Sequence, residues 1–299
     1  SARPTHFVTE QIFHEFQASR IGAVEFIADV ALTEASLRDL EALSAVSLEV
    51  HSLPWSQAEF LTWGVIFKAI HCRLTLQWAT AQTLLAAQLA IEHTTSATLG
   101  WLYLELAQCQ LSSGNWQLAE ETVRQSNHIF NAQRSVAGSF FSNLCLAHSL
   151  LYQRKINLAE KALNAAKSVI IDVNSYEPYV KTIHIWLLEA EICRFRGQWD
   201  SAHEALRLAG AAAARITSRH LDAQASNLLG KLHRSRQEWP LAIRSFDRAI
   251  QLTASSGDYM IAAQAQQSLG SIYIKQMNFD AALTALASSM ETKQQYADW

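Results

Sequence analysis

An aromatic residue followed three positions later by alanine recurs along this 299-residue chain at a nearly constant interval. The aromatic stands at Trp78, Trp116, Trp199, Trp239 and Phe279, and Ile156 takes its place in the third unit. Successive positions are 38, 40, 43, 40 and 40 residues apart. A fixed period of this length is typical of stacked helical arrays, which need at least about three units to be stable. The six units here therefore predict an all-α solenoid.

Small side chains define the two helices of each unit. The alanine after the aromatic is Ala81, Ala119, Ala159, Ala202, Ala242 or Ala282, and another small residue lies twelve positions earlier, at Ala69, Ala107, Ala147, Ala190, Gly230 or Gly270. A larger apolar residue follows each alanine by four positions, at Leu85, Val123, Leu163, Leu206, Phe246 and Leu286. Small residues on facing helices let two backbones approach closely, and the larger residue fills the next layer. We predict six antiparallel helical hairpins, over residues 56–73/78–93, 96–112/116–132, 137–153/156–172, 178–196/199–215, 219–236/239–254 and 259–276/279–296.

Residues 1–55 do not follow this repeat. Apolar residues from Phe7 to Ala31 predict one or two helices, and another helical run follows from Leu37 to Val50. We interpret this segment as an atypical N-terminal helix pair that caps the array. Residues 56–299 then form six hairpins, continuous with the cap in one solenoid domain. Because no polar capping helix follows, we expect either that Trp299 packs back onto the array or that the chain belongs to a longer protein.

The composition agrees with a helical, soluble globular chain. It is 49% hydrophobic and 17% charged with a formal charge of −3, and its four prolines and ten glycines are few for its length. The N-terminal segment has no apolar leader. The uncharged stretch 135–153 contains Asn143, His148 and four serines, so we expect a buried helix there rather than a membrane span. The cysteines form no C-x-x-C pair, which favours a reduced, cytoplasmic protein.

The last two units resemble the tetratricopeptide repeat (TPR). The sixth carries Leu269, Gly270, Tyr273 and Ala282, and the fifth carries Leu229, Gly230, Ala242, Phe246 and Ala249. The other four units keep the small residues but lack the Leu-Gly pair. The resemblance covers residues 56–296 and implies a right-handed α-α superhelix. Since the usual repeat has about 34 residues, these longer units are similar to the sensor region of MalT-type regulators and to Pins-type or kinesin light-chain arrays. HEAT repeats, the alternative of similar period, lack the turn aromatic.

The sequence predicts no catalytic, metal or cofactor site. The closest glycines are thirteen residues apart, which excludes the glycine-rich loops that hold phosphates. None of the eleven histidines forms an H-E-x-x-H motif or an i, i+4 pair. Glu189 and Glu191 are close in sequence, but acid–base catalysis would need a pocket that no motif indicates. We therefore expect a protein that is not an enzyme.

Charge is distributed unevenly along the chain. Residues 1–50 carry a net charge of −5, whereas residues 194–248 hold ten Lys/Arg and five Asp/Glu and carry +5. Solvated charges scattered over long helices are the alternative explanation. The TPR resemblance implies that the first helix of each hairpin lines a concave face and binds the partner there. The candidate residues at the cationic end of this face are His184, Glu191, Arg194, Asn227, Lys231, Arg234, Gln267 and Lys275. Those at its apolar end are Trp101, Leu104, Phe141, Leu144 and His148.

These candidates predict a non-catalytic scaffold or sensor. Its concave groove would bind a partner segment that is acidic at one end and hydrophobic at the other. Packing of Trp101 and Phe141 against a neighbouring repeat or the N-terminal helices is an open alternative. The carboxylate clamp of chaperone-binding repeats is matched only in part, by Asn227, Lys231 and Arg234.

The second functional hypothesis is the effector-binding region of a MalT-like regulator, in which a small inducer occupies the channel. For either function we expect a protein or peptide partner, or self-association. We expect no membrane partner, and no nucleic acid, because the basic segment lacks the interleaved aromatic residues of single-strand binders.

Overall fold

The computed structural model describes residues 5–91, 96–169, 177–254 and 258–297 of the chain. Within these ranges the regular elements are fifteen helices and no strand, which confirms the all-α class. The helices are α1 Thr5–Ala18, α2 Arg20–Leu37, α3 Leu40–Ser52, α4 Gln57–Leu74, α5 Trp78–Leu89, α6 Ser96–Ser112, α7 Trp116–Gln133, α8 Val136–Tyr152, α9 Ile156–Val169, α10 Pro178–Phe195, α11 Trp199–Arg215, α12 Arg219–Ser235, α13 Trp239–Ala254, α14 Tyr259–Lys275 and α15 Phe279–Ala297.

The chain forms two compact units, Ser1–Pro178 and Tyr179–Trp299. The N-terminal unit holds α1 to α9, and the C-terminal unit holds α10 to α15, with Pro178 at the boundary as the first residue of α10. That the cap and the hairpins form one continuous solenoid domain stays a prediction. Trp299, which was expected to pack back onto the array, lies outside the described residues.

Six helical hairpins follow from α4 onward, as predicted. Each second helix begins at the predicted turn residue, namely Trp78, Trp116, Ile156, Trp199, Trp239 and Phe279. Each first helix begins within one residue of its predicted start. The helix α5 ends at Leu89. Residues 93 and 172, the predicted ends of α5 and α9, lie outside the described residues.

Small residues bring the two helices of a hairpin together. In the fifth hairpin, a Cβ atom added to Gly230 would lie 2.6 Å from Phe246 Cε1. In the sixth, a Cβ added to Gly270 would lie 2.6 Å from Leu286 Cγ. Both distances are well below van der Waals contact, so only glycine permits this approach. The earlier hairpins use alanine at the equivalent positions, for example Ala147, which is fully buried. The predicted register of the helix pairs is therefore confirmed.

Every hairpin turn contains a residue in the left-handed region, two positions before the second helix. These residues are Leu76 (φ 66°), Gly114 (φ 85°), Arg154 (φ 62°), Gly197 (φ 73°), Gln237 (φ 63°) and Met277 (φ 60°). The next N–H in each turn donates to the carbonyl five residues earlier, as from Glu238 to His233 (2.9 Å). This is the Schellman arrangement that ends a helix. Four of the six turns therefore place a side chain where glycine is the preferred residue.

Three helices precede the first hairpin, where the sequence predicted one or two helices and a further helical run, interpreted together as a pair. Ser19 Oγ accepts from Gly22 N (3.2 Å) at the start of α2, and Asp39 Oδ1 accepts from Ala42 N (2.9 Å) at the start of α3. The middle helix, α2, is not a cap at the end of the array. It packs against α1 and α3 and also against α4, α6 and α8, the first helices of three successive hairpins. Almost all of its side chains from Ala23 to Ala35 are buried, because other helices surround α2.

The uncharged stretch of the sequence forms α8, most of whose side chains are buried within the N-terminal unit. In the parts of the chain that the structure describes, no helix has the length and apolar character needed to cross a membrane.

A buried polar cluster ties α4 to α6. Arg73 Nε lies 2.6 Å from Glu105 Oε1, and Arg73 Nη2 donates to Glu105 Oε2 (3.2 Å). Glu105 is almost fully buried, and this burial raises the pKa of its carboxyl group in spite of Arg73. The thiol of Cys109 donates to the same carboxylate (3.8 Å). Burial also raises the pKa of Cys145 to about 12, so this thiol acts as a small apolar side chain at neutral pH.

Candidate partner-binding face

Four charged residues meet on the first helices of the C-terminal unit. Glu191 and Arg194 lie on α10, and Lys231 and Arg234 occupy the equivalent positions of α12, one repeat of 40 residues later. Residues three apart share a helix face. Arg194 Nη2 lies 3.5 Å from Glu191 Oε1, and the charges of all three neighbours act on Lys231. Three cations beside one carboxylate leave this group, the cationic cluster, with a surplus of positive charge.

Lys231 is the least compensated member of the cationic cluster. Burial lowers its pKa, and the positive charges of Arg194 and Arg234 lower it further, whereas Glu191 acts in the opposite direction. Among the described residues its ammonium group has no hydrogen-bond or ion-pair partner. An ammonium group can donate three hydrogen bonds. Lys231 therefore offers three donors and a positive charge to an anionic ligand.

Arg234 connects the cationic cluster to α14. Its pKa is lowered, first by burial and then by the charge of Arg194, and its Nη1 donates to Ser271 Oγ (3.3 Å). A guanidinium group stays protonated in proteins. The lowered pKa therefore means that the positive charge of Arg234 is destabilised by its surroundings. A bound anion would stabilise it.

Two buried polar atoms next to the cationic cluster have no hydrogen-bond partner among the described residues. They are Arg194 Nε, a donor, and Asn227 Oδ1, an acceptor. Asn227 lies one turn before Lys231 on α12, is 3% exposed, and donates through Nδ2 to Gln264 Oε1 (3.4 Å). An unsatisfied buried polar atom costs about 1–3 kcal/mol. Because both atoms are buried, this cost belongs to the packing around the cationic cluster.

Three further residues predicted for the cationic end lie on the same first helices. His184 on α10 is half-buried. Gln267 on α14 is exposed and accepts from Lys293 Nζ (3.1 Å). Lys275 is also exposed, and its ammonium lies 5.5 Å from the ring centre of Trp239. The structure therefore brings together four of the predicted residues, Glu191, Arg194, Lys231 and Arg234. Gln267 and Lys275 lie on α14 and instead contact Lys293 and Trp239.

The residues predicted for the apolar end are placed differently. Trp101, Leu104, Phe141 and Leu144 are all buried in the N-terminal unit, on the helices α6 and α8. The ring of Trp101 packs against Phe130 of α7, with 4.5 Å between the centroids, so it belongs to the packing within its own hairpin. Because burial leaves these four side chains almost no accessible surface, no external partner can reach them in this arrangement.

The aromatic residues at the end of α8 are more accessible. Tyr152 is 43% exposed and stacks on Trp116 with 5.4 Å between the ring centroids. His148, the fifth residue predicted for the apolar end, is half-buried, and its ring lies 6.4 Å from that of Tyr152. His148 is therefore the one member of that set that keeps surface next to exposed aromatic rings.

A buried histidine that the sequence did not indicate supports the cationic face. His220, in the first turn of α12, contacts Asp258, the residue before α14, through Nδ1. Gln224 Nε2 lies 2.8 Å from the other ring nitrogen. These contacts join α12 to α14 about two helical turns before Asn227. No motif could reveal them, because the three residues belong to two repeats and form no common spacing.

No protein-family model matches the chain, and no curated protein matches its sequence. Its structure is similar to several solved proteins. A Rap protein complexed with competence and sporulation factor has a TM-score of 0.73 at 15% identity, covering 99% of this chain and 78% of that chain. Aspartyl phosphate phosphatase F from Bacillus subtilis has a TM-score of 0.55 at 16% identity, covering 100% and 77%. The apo quorum sensor NprR from B. thuringiensis has a TM-score of 0.53 at 12% identity, covering 95% and 93%. These similarities confirm a TPR-type fold, while the MalT-type variety of repeat stays a prediction.

Proposed function

We propose that the chain is a sensor or scaffold module that binds a partner segment carrying an acidic group, at the face formed by α10, α12 and α14. The observation that carries this proposal is the ammonium of Lys231, which has no partner among the described residues and is flanked by Arg194 and Arg234. A carboxylate of the partner would satisfy this ammonium and lower the mutual repulsion of the three cations. Glu191 supplies only one of the negative charges needed.

The cations would act on the acidic group of the partner. They would orient it and raise the association rate. A cationic wall of this kind fits binding of an extended or helical segment in a groove.

We infer binding rather than catalysis at this face. Its one carboxylate, Glu191, is engaged by Arg194 and is not placed as a free base. The guanidinium groups of Arg194 and Arg234 recognise an anion but supply neither a nucleophile nor a proton acceptor. The similar folds do not decide this point, because one of them belongs to a phosphatase. The inference therefore rests on the chemistry of the cationic cluster.

Fluorescence anisotropy tests the proposal with two short fluorescein-labelled peptides. One contains glutamates beside leucines, and in the other lysine replaces each glutamate. We expect the acidic peptide to bind and the basic one not to bind. The double variant Lys231→Glu with Arg234→Glu should weaken binding of the acidic peptide by at least about tenfold, because a buried charge contact becomes repulsive. Its helical circular dichroism and melting temperature should stay unchanged.

A matched variant controls for net charge. Arg207 on α11 and Arg248 on α13 are exposed arginines of the second helices, with 57% and 61% of their side chains accessible. Replacing both with glutamate changes the net charge by the same amount as the test variant. We expect the acidic peptide to bind this control as it binds the wild type. Equal weakening by both variants would mean a general charge effect and would contradict the proposed site.

A small anionic effector, as in the MalT-like hypothesis, is the second candidate for the same face. It is favoured by the closeness of the Lys231 ammonium to two guanidinium groups, which is enough to hold a single anionic group. A thermal-shift screen with sugars, sugar phosphates and nucleotides separates the two functions, since a ligand of the folded state raises the melting temperature. A rise that disappears in the Lys231→Glu, Arg234→Glu variant, without peptide binding to the wild type, would select the effector.

A further inference from the structure

The hairpin array of the N-terminal unit is complete without α2. Its three hairpins pack as α4 with α5, α6 with α7 and α8 with α9, and the first helices also pack side by side, α4 with α6 and α6 with α8. These contacts are the ones that build a helical repeat array. The helix α2 lies against α4, α6 and α8 in addition to them. It therefore occupies the face that the first helices present, as a bound helix would.

Polar contacts near both ends of α2 bind it to the first helices of the array. Near its start, Glu25 Oε1 accepts from Ala137 N (2.9 Å) and from Ser135 Oγ (3.2 Å), at the N-terminus of α8. Just past its end, the guanidinium of Arg38 donates to the carbonyl of Leu74, the last residue of α4. A carboxylate at a helix N-terminus and a cation at a helix C-terminus are the favourable pairings with the helix dipole. Both contacts can also be made by another helix with the same two groups.

The two groups lie on a diagonal across the face. Glu25 and Arg38 are thirteen residues apart, which corresponds to about 20 Å along a helix. Two steps between neighbouring first helices, each of about 8–10 Å, separate α4 from α8. Because the contacts lie at the end of α4 and at the start of α8, α2 crosses the face obliquely, and its two long charged side chains reach the helix ends. The face therefore favours a helix that carries a carboxylate and a guanidinium in these positions.

The buried surface of α2 is not that of a purely apolar core helix. Asp29, Thr33 and Glu34 are each less than 5% exposed. Thr33 Oγ1 has no hydrogen-bond partner among the described residues. Burying polar groups in this way costs free energy that an apolar side chain would not. The contact of α2 with the array is therefore less favourable than it would be for a helix with apolar side chains at these positions.

We infer that the inner face of α4, α6 and α8 is a helix-binding groove, that α2 is its resident occupant, and that a partner helix of the same chemistry exchanges with it. That partner helix is apolar and carries a carboxylate and a guanidinium about thirteen residues apart. The apolar residues Leu104, Phe141 and Leu144, which the sequence placed in a partner site, lie buried on these same helices. The inference concerns the N-terminal unit and is independent of the function proposed for the C-terminal unit.

Hydrogen–deuterium exchange of the intact wild-type chain gives the first test. The backbone amides of α2 should exchange at least about tenfold faster than those of α6 and α8, because α2 leaves the groove while the hairpins stay folded. The variant Glu25→Ala with Arg38→Ala should increase the exchange of α2 further and leave α6 and α8 as they were. If α2 exchanges only together with α6 and α8 in the wild type, it is part of their core and the inference is wrong.

A peptide added in trans gives the second test. A fluorescein-labelled peptide of residues 19–39 should bind the Glu25→Ala, Arg38→Ala chain at least about tenfold more tightly than it binds the wild type, since the resident helix is released. The same peptide with alanine at positions 25 and 38 should bind the variant at least about tenfold more weakly.

An exposed pair gives the matched control. Glu121 on α7 and Lys161 on α9 are exposed, and replacing both with alanine also removes one acid and one base. This control chain should exchange and bind the peptide as the wild type does. Rapid exchange of α2 without any binding of the peptide to the variant would show that no groove is left behind, and it would overturn the inference.

Discussion

Replacing Gly230 with alanine tests the packing on which the hairpin array depends. The new Cβ would lie 2.6 Å from Phe246 Cε1 and 2.7 Å from Cδ1, in a ring that is fully buried. Overpacking a core of this kind costs about 1–3 kcal/mol. Alanine is also preferred over glycine inside a helix by about 0.5–1 kcal/mol, which offsets part of the cost. We therefore expect Gly230→Ala to lower the free energy of unfolding, measured by urea denaturation, by about 0.5–2 kcal/mol.

A second substitution should reverse the sign of this effect. The second hairpin carries Ala107 and Val123 at the positions equivalent to Gly230 and Phe246, and both are buried. The pair Ala–Val therefore fits where alanine opposite a larger side chain does not. In a Phe246→Val background we expect Gly230→Ala to be neutral or to stabilise by up to about 1 kcal/mol. The double-mutant cycle should give a coupling energy of about 1–3 kcal/mol.

Gly210 provides the control for helix propensity. It lies inside α11, and a Cβ there would meet only Ala225 Cβ, at an ordinary distance of 3.9 Å. Gly210→Ala should therefore stabilise the chain by about 0.5–1 kcal/mol. The reasoning is refuted if Gly230→Ala also stabilises the wild type, or if its effect is the same in both backgrounds. Either result would mean that Phe246 does not limit the distance between α12 and α13.

Two further predictions concern surface features. Partial burial would raise the pKa of Glu120, but hydrogen bonds from Lys155, Arg124 and Gln153 lower it to about 2. This pKa lies below the unfolded value, so the contribution of Glu120 is present above about pH 4.5 and is lost as the pH falls towards 2. Glu120→Gln should therefore lower the free energy of unfolding by about 1 kcal/mol at pH 7, a small value because the partners of Glu120 are exposed. Near pH 2.5 the loss should be small. Urea denaturation at the two pH values measures both. Gln237→Gly should raise the melting temperature. A non-glycine residue in the left-handed region costs about 1 kcal/mol, and glycine removes this cost. An unchanged or lower melting temperature would contradict this.

The hairpins could be predicted from the sequence because their determinants are local and repeated. The point where two helices approach is set by a small residue and a larger one at a fixed sequence spacing, such as Gly270 and Leu286. Six copies of this pattern support one another. The hairpin turns carry no comparable signal. Their left-handed residue is a glycine in only two of the six turns, so Leu76, Arg154, Gln237 and Met277 could not be recognised from residue type.

The cationic face was predictable in register but not in its energetics. Glu191 and Lys231, like Arg194 and Arg234, are one repeat apart, so the repeat alone places them on the same side of α10 and α12. Whether their charges are compensated depends on contacts between repeats, which one sequence does not contain. The unsatisfied oxygen of Asn227 is a result of that three-dimensional arrangement.

The position of α2 shows which information was missing from its own sequence. A largely apolar helix must be buried, but its sequence does not say against which helices. The two charged groups near its ends indicate where it packs, because a carboxylate is stabilised at a helix N-terminus and a guanidinium at a helix C-terminus. Glu25 and Arg38 reach the ends of two different first helices, α8 and α4, with α6 between them. Only a helix that crosses the face of the array can make both contacts, since a terminal cap on α4 could reach Leu74 but not the start of α8.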